Sequence, residues 1–333
     1  MSGAVEERVA APPMQGRPSV ARRLVGSQSS GLLVANVVLF VALAIGAPGF
    51  FSSSNFESTA TLAAYTGVMS AVATLVLISG GLDLSVGAVA VFAGQGCALA
   101  LENGWSTAAA VGAALAIGAG AGAVNAGFIV GLGINPLIAT IGTAFVIRGL
   151  ALGWTDGGST IIESQTILDL GAATWLGIPE AMYIMLGVFA GVGFVLRFTR
   201  LGSNFLAAGS NPIATRRAGV AVWRTLTTVY IFSGVSAAFA GLMLIGFQGA
   251  SIPYAAVGIE LTVLSAVVLG GTGLVGGSGS VIGTLLGVIL LATVASGLTA
   301  LSAPAYWALI VTGVVLMLAM VIDDIRHKRG AIR

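Results

Sequence analysis

A helix rises about 1.5 Å per residue, so roughly 20 consecutive apolar residues cross the hydrocarbon core of a bilayer. This chain carries about ten such runs. They lie near 32–50, 59–80, 82–101, 106–131, 134–154, 181–199, 225–246, 257–271, 280–300 and 305–322. Only 8% of the 333 residues are charged, against roughly 25% in an ordinary soluble domain. A soluble fold this apolar would expose large patches and aggregate. The expected fold class is therefore all-α, a polytopic membrane protein with about ten transmembrane helices. The 49 glycines suit close helix packing in lipid. The runs at 82–101 and 257–271 carry glycines and an acid near one end, which predicts broken or re-entrant helices.

Charge predicts orientation. Arg197, Arg200, Arg216, Arg217 and Arg224 share one connection that contains no acid. Arg326, Lys328, Arg329 and Arg333 outnumber Asp323 and Asp324 at the C-terminus, and Arg22 and Arg23 precede the first run. By the positive-inside rule all three clusters face the cytoplasm, with both termini. The connection 155–180 carries Asp156, Glu163, Asp169 and Glu180 without a base, and belongs outside. Ten crossings satisfy every assignment, whereas nine or eleven would misplace one basic cluster. The chain divides into a polar segment 1–30, expected as a disordered cytoplasmic tail rather than a signal peptide, a transmembrane domain 31–322, and a cytoplasmic tail 323–333. Gly81-Leu82-Asp83-Leu84-Ser85-Val86 resembles Gly258-Ile259-Glu260-Leu261-Thr262-Val263, a faint sign of an inverted repeat.

Several chemistries are disfavoured. The single cysteine, Cys97, sits in an apolar run and reads as a packed core residue. The single histidine, His327, lies beside Arg326 and Lys328 in the charged tail, which suits a solvated surface residue and no catalytic triad. No metal site, cofactor or nucleic-acid partner is expected. Gly271-Thr272-Gly273-Leu274-Val275-Gly276 matches G-x-G-x-x-G but has no strand–turn–helix context and no acid about 20 residues on. It reads as a tight loop between membrane helices. No catalysis is expected, and any ATP site belongs to another subunit.

The polar residues within the apolar runs are the candidates for a solute path. Asp83 follows two glycines. A carboxylate at the centre of a lipid-facing helix costs about 2.5–3.5 kcal/mol, so it must face protein, water or an interface. It reads as a helix cap accepting from the amide of Ser85 or Val86, as a pathway group, or as both. Arg148, in the middle of its run, needs a carboxylate; Asp156, Asp83 and Glu260 are the possible partners. It either locks helices together or bonds a polar solute in transit. Gln95, Asn125, Asn135, Thr140, Thr143 and Gln248 each suit interhelical hydrogen bonding, and together suit a path for a neutral, hydroxyl-rich solute.

The basic connection 200–224 is too patterned for a simple turn. Asn211-Pro212 signals a helix start, and Arg216 and Arg217 fall near that helix's end, where the dipole favours them. A short helix parallel to the membrane is expected, serving either topology alone or docking of a cytoplasmic partner.

Four stretches together resemble the permease subunits of bacterial sugar importers of the ribose, xylose and galactose type. They are Gly80–Gly87 (GGLDLSVG), Asn135–Thr143 (NPLIATIGT) with Arg148-Gly149-Leu150 following, Gly209–Gly219 (GSNPIATRRAG), and Ala266–Gly283 (AVVLGGTGLVGGSGSVIG). The resemblance covers most of 32–322. It implies a pair of permeases, identical or related, in the bacterial inner membrane, a cytoplasmic ATPase subunit and an extracytoplasmic sugar-binding protein. It also implies that loop 204–219 couples to the ATPase, through Asn211, Arg216, Arg217 and Gly219. Members of the family usually carry a glutamate and two small residues where this chain reads Ile213-Ala214-Thr215, so a salt bridge through that glutamate is unavailable here. The competing readings are an ion-coupled secondary transporter, a permease of the same class for another small solute, and a membrane scaffold that transports nothing.

Overall fold

The computed structural model describes residues 28–304 and 306–331, with side chains for 30–304 and 306–321. Nearly all of the expected tail 1–30, and the side chain of His327, lie outside these residues. Thirteen α-helices are present among the described residues: α1 (Gln28–Gly46), α2 (Ser53–Ile78), α3 (Val86–Glu102), α4 (Thr107–Ala126), α5 (Pro136–Trp154), α6 (Gln165–Ala172), α7 (Glu180–Phe198), α8 (Arg200–Ser210), α9 (Pro212–Arg217), α10 (Val222–Gln248), α11 (Ile259–Leu269), α12 (Val281–Ala300) and α13 (Tyr306–Ala331). A π-helical turn, Gly127–Gly131, extends α4.

The starts follow from the sequence. Ser52, Ser106 and Ser280 accept from the amides of Asn55, Ala109 and Gly283, and so cap α2, α4 and α12. Asn135 accepts from Leu137 ahead of Pro136, which tolerates the first helical position because it has no amide to satisfy.

Helices α2 and α10 form the centre of the bundle and are mostly buried, whereas α5 and α7 leave most of their surface outward. Such outward apolar faces suit lipid. α10 packs on α4, α3 and α2; α12 packs on α2, α11 and α1. Gly118 and Gly122 on α4 let its backbone approach that of Tyr230 to Gly234 on α10, where a Cβ would collide. This is the small-residue seam that replaces the hydrophobic effect inside lipid. Along α2, Thr66 donates to the Leu62 carbonyl (2.9 Å), Ser70 to Thr66 (2.8 Å) and Thr74 to Ser70 (2.8 Å). These three hydroxyls of the most buried helix thus bond to its own backbone, and Thr74 also meets Thr284 Oγ1 of α12 at 2.9 Å.

Ten of the helices lie at the ten expected runs. Six are long and apolar enough to cross a membrane (α2, α4 with its π turn, α5, α7, α10 and α12), and α1, α3, α11 and α13 contribute shorter apolar stretches. α11 has only 11 residues, about 16 Å of helix, and does not span by itself. Neither of the runs expected to be broken is a clean span: α3 starts only at Val86, after non-helical residues 81–85, and α11 is unbroken from Ile259 but short.

Other features depart from the expectation. The connection 155–180 is no plain loop, since it contains α6 and short strands. β1 (Thr160–Ile161) pairs antiparallel with β4 (Ala250–Ser251), and β2 (Thr174–Trp175) with β3 (Ile178–Pro179). The all-α class is amended to that extent; two-residue ribbons close loops whose amides lie outside any helix. α13 continues as a helix to Ala331, past the end of its apolar stretch at Val321.

Candidate functional site

Between α2 and α3 the chain runs non-helically from Gly81 to Ser85, and its polar groups are met by side chains from three other helices. Asp83 is 7% exposed. Its Oδ1 accepts from the Ser85 amide (2.9 Å) and the Ser85 hydroxyl (2.6 Å), and its Oδ2 accepts from the Ser233 hydroxyl of α10 (2.7 Å). Asn125 of α4 donates from Nδ2 to Ser85 Oγ (2.9 Å). The amide of Leu84 donates to Thr140 Oγ1 of α5 (3.2 Å), and the amide of Leu82 to the Tyr230 hydroxyl of α10 (3.3 Å). The Asp83 carboxylate therefore rests on neutral donors. It is not the N-cap of α3, which is Ser85 without a side-chain cap bond; its bond from the Ser85 amide closes the turn that leads into the helix. Three other helices, α4, α5 and α10, are tied to one five-residue segment.

On α5 the buried strip is Ala139, Thr140, Thr143, Ile147 and Ala151, facing α3. Gln95 of α3 donates to the Ala151 carbonyl (2.9 Å) and to Thr155 Oγ1 (2.9 Å). Gln95 Oε1, Asn125 Oδ1 and Thr143 Oγ1 are buried without a protein partner, and buried polar groups of this kind require water or a solute.

Arg148 projects from the other side of α5. Its Nη2 reaches both carboxylate oxygens of Glu260 on α11, at 3.0 and 3.1 Å. Of its three possible partners, Glu260 is the one paired. The two side chains keep 23% and 19% of their surface. Asn135 and Gln248 stand apart. Asn135 is an exposed cap, and Gln248 is the exposed last residue of α10, next to the β1–β4 ribbon.

The second region is the basic connection. α9 starts where Asn211-Pro212 signalled, with Asn211 Oδ1 accepting from the Ala214 amide (2.9 Å). Arg216 and Arg217 occupy its last turn and are exposed, and Gly219 turns the chain at φ +85°. Residue 215, notable in the sequence only for departing from the family pattern, is structural. Its buried hydroxyl bonds to the Ala207 carbonyl (2.8 Å) and holds α9 against α8. α8 itself was not foreseen.

α8 touches the end of α2 and the glycine loop that follows α11. Gly209 lies so close to the Ile78 carbonyl at the end of α2 that a Cβ would collide with it. The Gly277 amide donates to that carbonyl (2.8 Å), and Ser210 Oγ donates to the Gly277 carbonyl (3.3 Å). Residues 270–280, which contain the G-x-G-x-x-G match, are thus a packed glycine loop between α11 and α12. Among the described residues no group of three or more His, Cys, Asp or Glu is placed to hold a metal ion.

Comparison with known proteins agrees with this arrangement of spans and loops. The family model described as branched-chain amino acid transport system / permease component matches residues 55–320. The ribose import permease protein RbsC of Escherichia coli K12 is 35% identical over 88% of this chain and 92% of its own length. The L-arabinose transport system permease protein AraH of the same strain is 35% identical over 90% and 91%. The L-arabinose ABC transporter permease protein AraH of Azospirillum brasilense is 32% identical over 90% and 88%.

Proposed function

The chain belongs to the family of branched-chain amino acid transport system / permease components, and on that premise we propose that it is the membrane permease of an ATP-driven importer that moves a simple sugar, a pentose or a hexose, inward by alternating access. The observation that carries the sugar reading is the likeness over about nine-tenths of the chain to permeases named for ribose and L-arabinose. The chain is a multi-pass membrane protein. Its place is the bacterial inner membrane with both termini in the cytoplasm, which follows from the basic clusters.

Its partners are a cytoplasmic ATPase that carries out hydrolysis, an extracytoplasmic sugar-binding protein and a second permease copy or paralogue. Arg216 and Arg217 on α9 meet the ATPase. Movement of α9 carries α8 with it through Thr215, and α8 presses on the end of α2 and on the glycine loop after α11. The chain before the Gly81–Ser85 segment and the loop after α11 thereby feel the partner. The path is lined among Gln95, Asn125, Thr140, Thr143, Arg148 and Glu260, and Asp83 holds its wall.

The test is mild detergent extraction from the native membrane, mass spectrometry of what accompanies the chain, and sugar uptake by the reconstituted complex. An ATPase and a sugar-binding protein should co-purify, and the R216E/R217E variant should insert normally yet lose at least ~90% of uptake. A chain that purifies alone in several detergents, with uptake abolished by an uncoupler, would mean ion-coupled transport instead. Normal uptake by R216E/R217E would remove α9 from the coupling surface.

A further inference from the structure

Arg148 and Glu260 stand on helices with largely different neighbours. α5 packs on α3 and α4; α11 packs mainly on α2, α12 and α13 and also touches α3. The pair links these two helices, and both of its side chains stay partly exposed.

The start of α11 makes the acid available. Residues 252–258 are not helical; Ala256 (φ +56°) and Gly258 (φ +86°) turn the chain into α11, and no side chain caps that helix. Glu260 lies in the first turn, where a negative charge is favoured. Its Oε2 sits against Gly87 at the start of α3, where a Cβ would collide with it. The carboxylate is thus held from one side and reached by Arg148 from the other. The guanidinium has five N–H donors and only Nη2 is engaged with Glu260; the carboxylate has lone pairs to spare.

A hydroxyl both donates and accepts. Two adjacent hydroxyls on one small molecule can donate to Glu260 and accept from Arg148, and so replace the ion pair bond for bond. An apolar solute cannot, and separation without replacement would leave two unpaired ions at membrane depth.

We propose that the Arg148–Glu260 pair is a substrate-operated latch between α5 and α11, opened by a neutral polyol whose neighbouring hydroxyls take over the hydrogen bonds of the salt bridge. The latch rests on the sugar-importer reading above and supplies the point at which the cargo itself acts on the helices.

The test uses the complete importer in proteoliposomes, with uptake of ribose and of L-arabinose and ATP hydrolysis read on the same assembled complexes. R148Q and E260Q should each raise sugar-independent ATP hydrolysis at least threefold and lower uptake per ATP about tenfold. R148K, which keeps the charge but not the fork, should fall between. The charge-swapped variant R148E/E260R should improve both readouts at least threefold over either single variant while falling short of the parent, because the first turn of α11 favours the acid. A purely structural pair would reduce the yield of complex and leave uptake per ATP unchanged; that result overturns the latch, as does a fully assembled charge swap no better than the single variants. A parent complex that hydrolyses ATP but moves neither sugar overturns the sugar reading alone. The latch then stands or falls on whether the charge swap lowers sugar-independent ATP hydrolysis below that of both single variants.

Discussion

Asp83 and Glu260 occupy matching places in two similar stretches, yet they are held in opposite ways. Asp83 is almost fully buried and accepts from an amide and two hydroxyls. Glu260 is half-buried and is held by a guanidinium. The cause is where each helix begins. α3 begins at Val86, five residues after Gly81, and α11 begins at Ile259, one residue after Gly258. The difference is four residues, about one turn. It leaves Asp83 in the extended approach, within reach of α10, and puts Glu260 inside the helix, within reach of α5. The same acid thus serves as a fixed joint in one place and as an exchangeable contact in the other. Neutral bonds in a closed site have nothing to exchange with, whereas a charge pair open to a path does.

The largest effect should come from breaking the joint. D83A leaves the Ser85 amide and the hydroxyls of Ser85 and Ser233 without an acceptor. At about 1–3 kcal/mol for each unsatisfied buried donor, the loss should be on the order of 3 kcal/mol or more, read as a large fall in melting temperature and yield in detergent. D83N keeps an acceptor oxygen and should cost only about 1 kcal/mol. Equal damage from both variants would show that the charge, not the hydrogen bonding, matters. G87A pushes a methyl into the place of the Glu260 carboxylate and should cost about 1–3 kcal/mol by overpacking. Combined with E260A it should cost less than the sum, because the tightest of the collisions is relieved while that with Ile259 Cγ2 stays; strict additivity would place the acid elsewhere. T140A is the mildest. It removes the acceptor of the Leu84 amide, at about 1 kcal/mol, and should speed hydrogen exchange in 82–86 while sparing Glu260. Unchanged exchange there would detach α5 from the joint.

Much of this was legible in the sequence. Apolar runs of sufficient length give their helices directly, because lipid permits few alternatives. The α9 start was readable because Asn211-Pro212 acts locally, and the interruption before α3 because glycines and an acid together break a run. Long-range partners were not legible. Ser233 is the clearest case. A serine in a membrane helix normally bonds to its own preceding turn, as Ser70 does, and nothing local distinguishes one that reaches an aspartate 150 residues away. Arg148 demanded a carboxylate, and choosing Glu260 over Asp83 or Asp156 needed the third dimension. α8 was missed because its apolar face is short and is buried by α7 and α10. The β1–β4 ribbon escaped for the same reason as Ser233, since two residues in each of two distant loops carry no period.

The hydroxyls of α2 have a consequence of their own. A proton hops along a row of side chains only if each oxygen donates to the next. Thr66, Ser70 and Thr74 each donate backward, to the carbonyl one turn before. These hydroxyls are thus spent on their own helix, and Thr74 also meets Thr284 of α12 at 2.9 Å. A wet route for the cargo beside such a column gains from it no run of forward-pointing hydroxyls along which protons could follow.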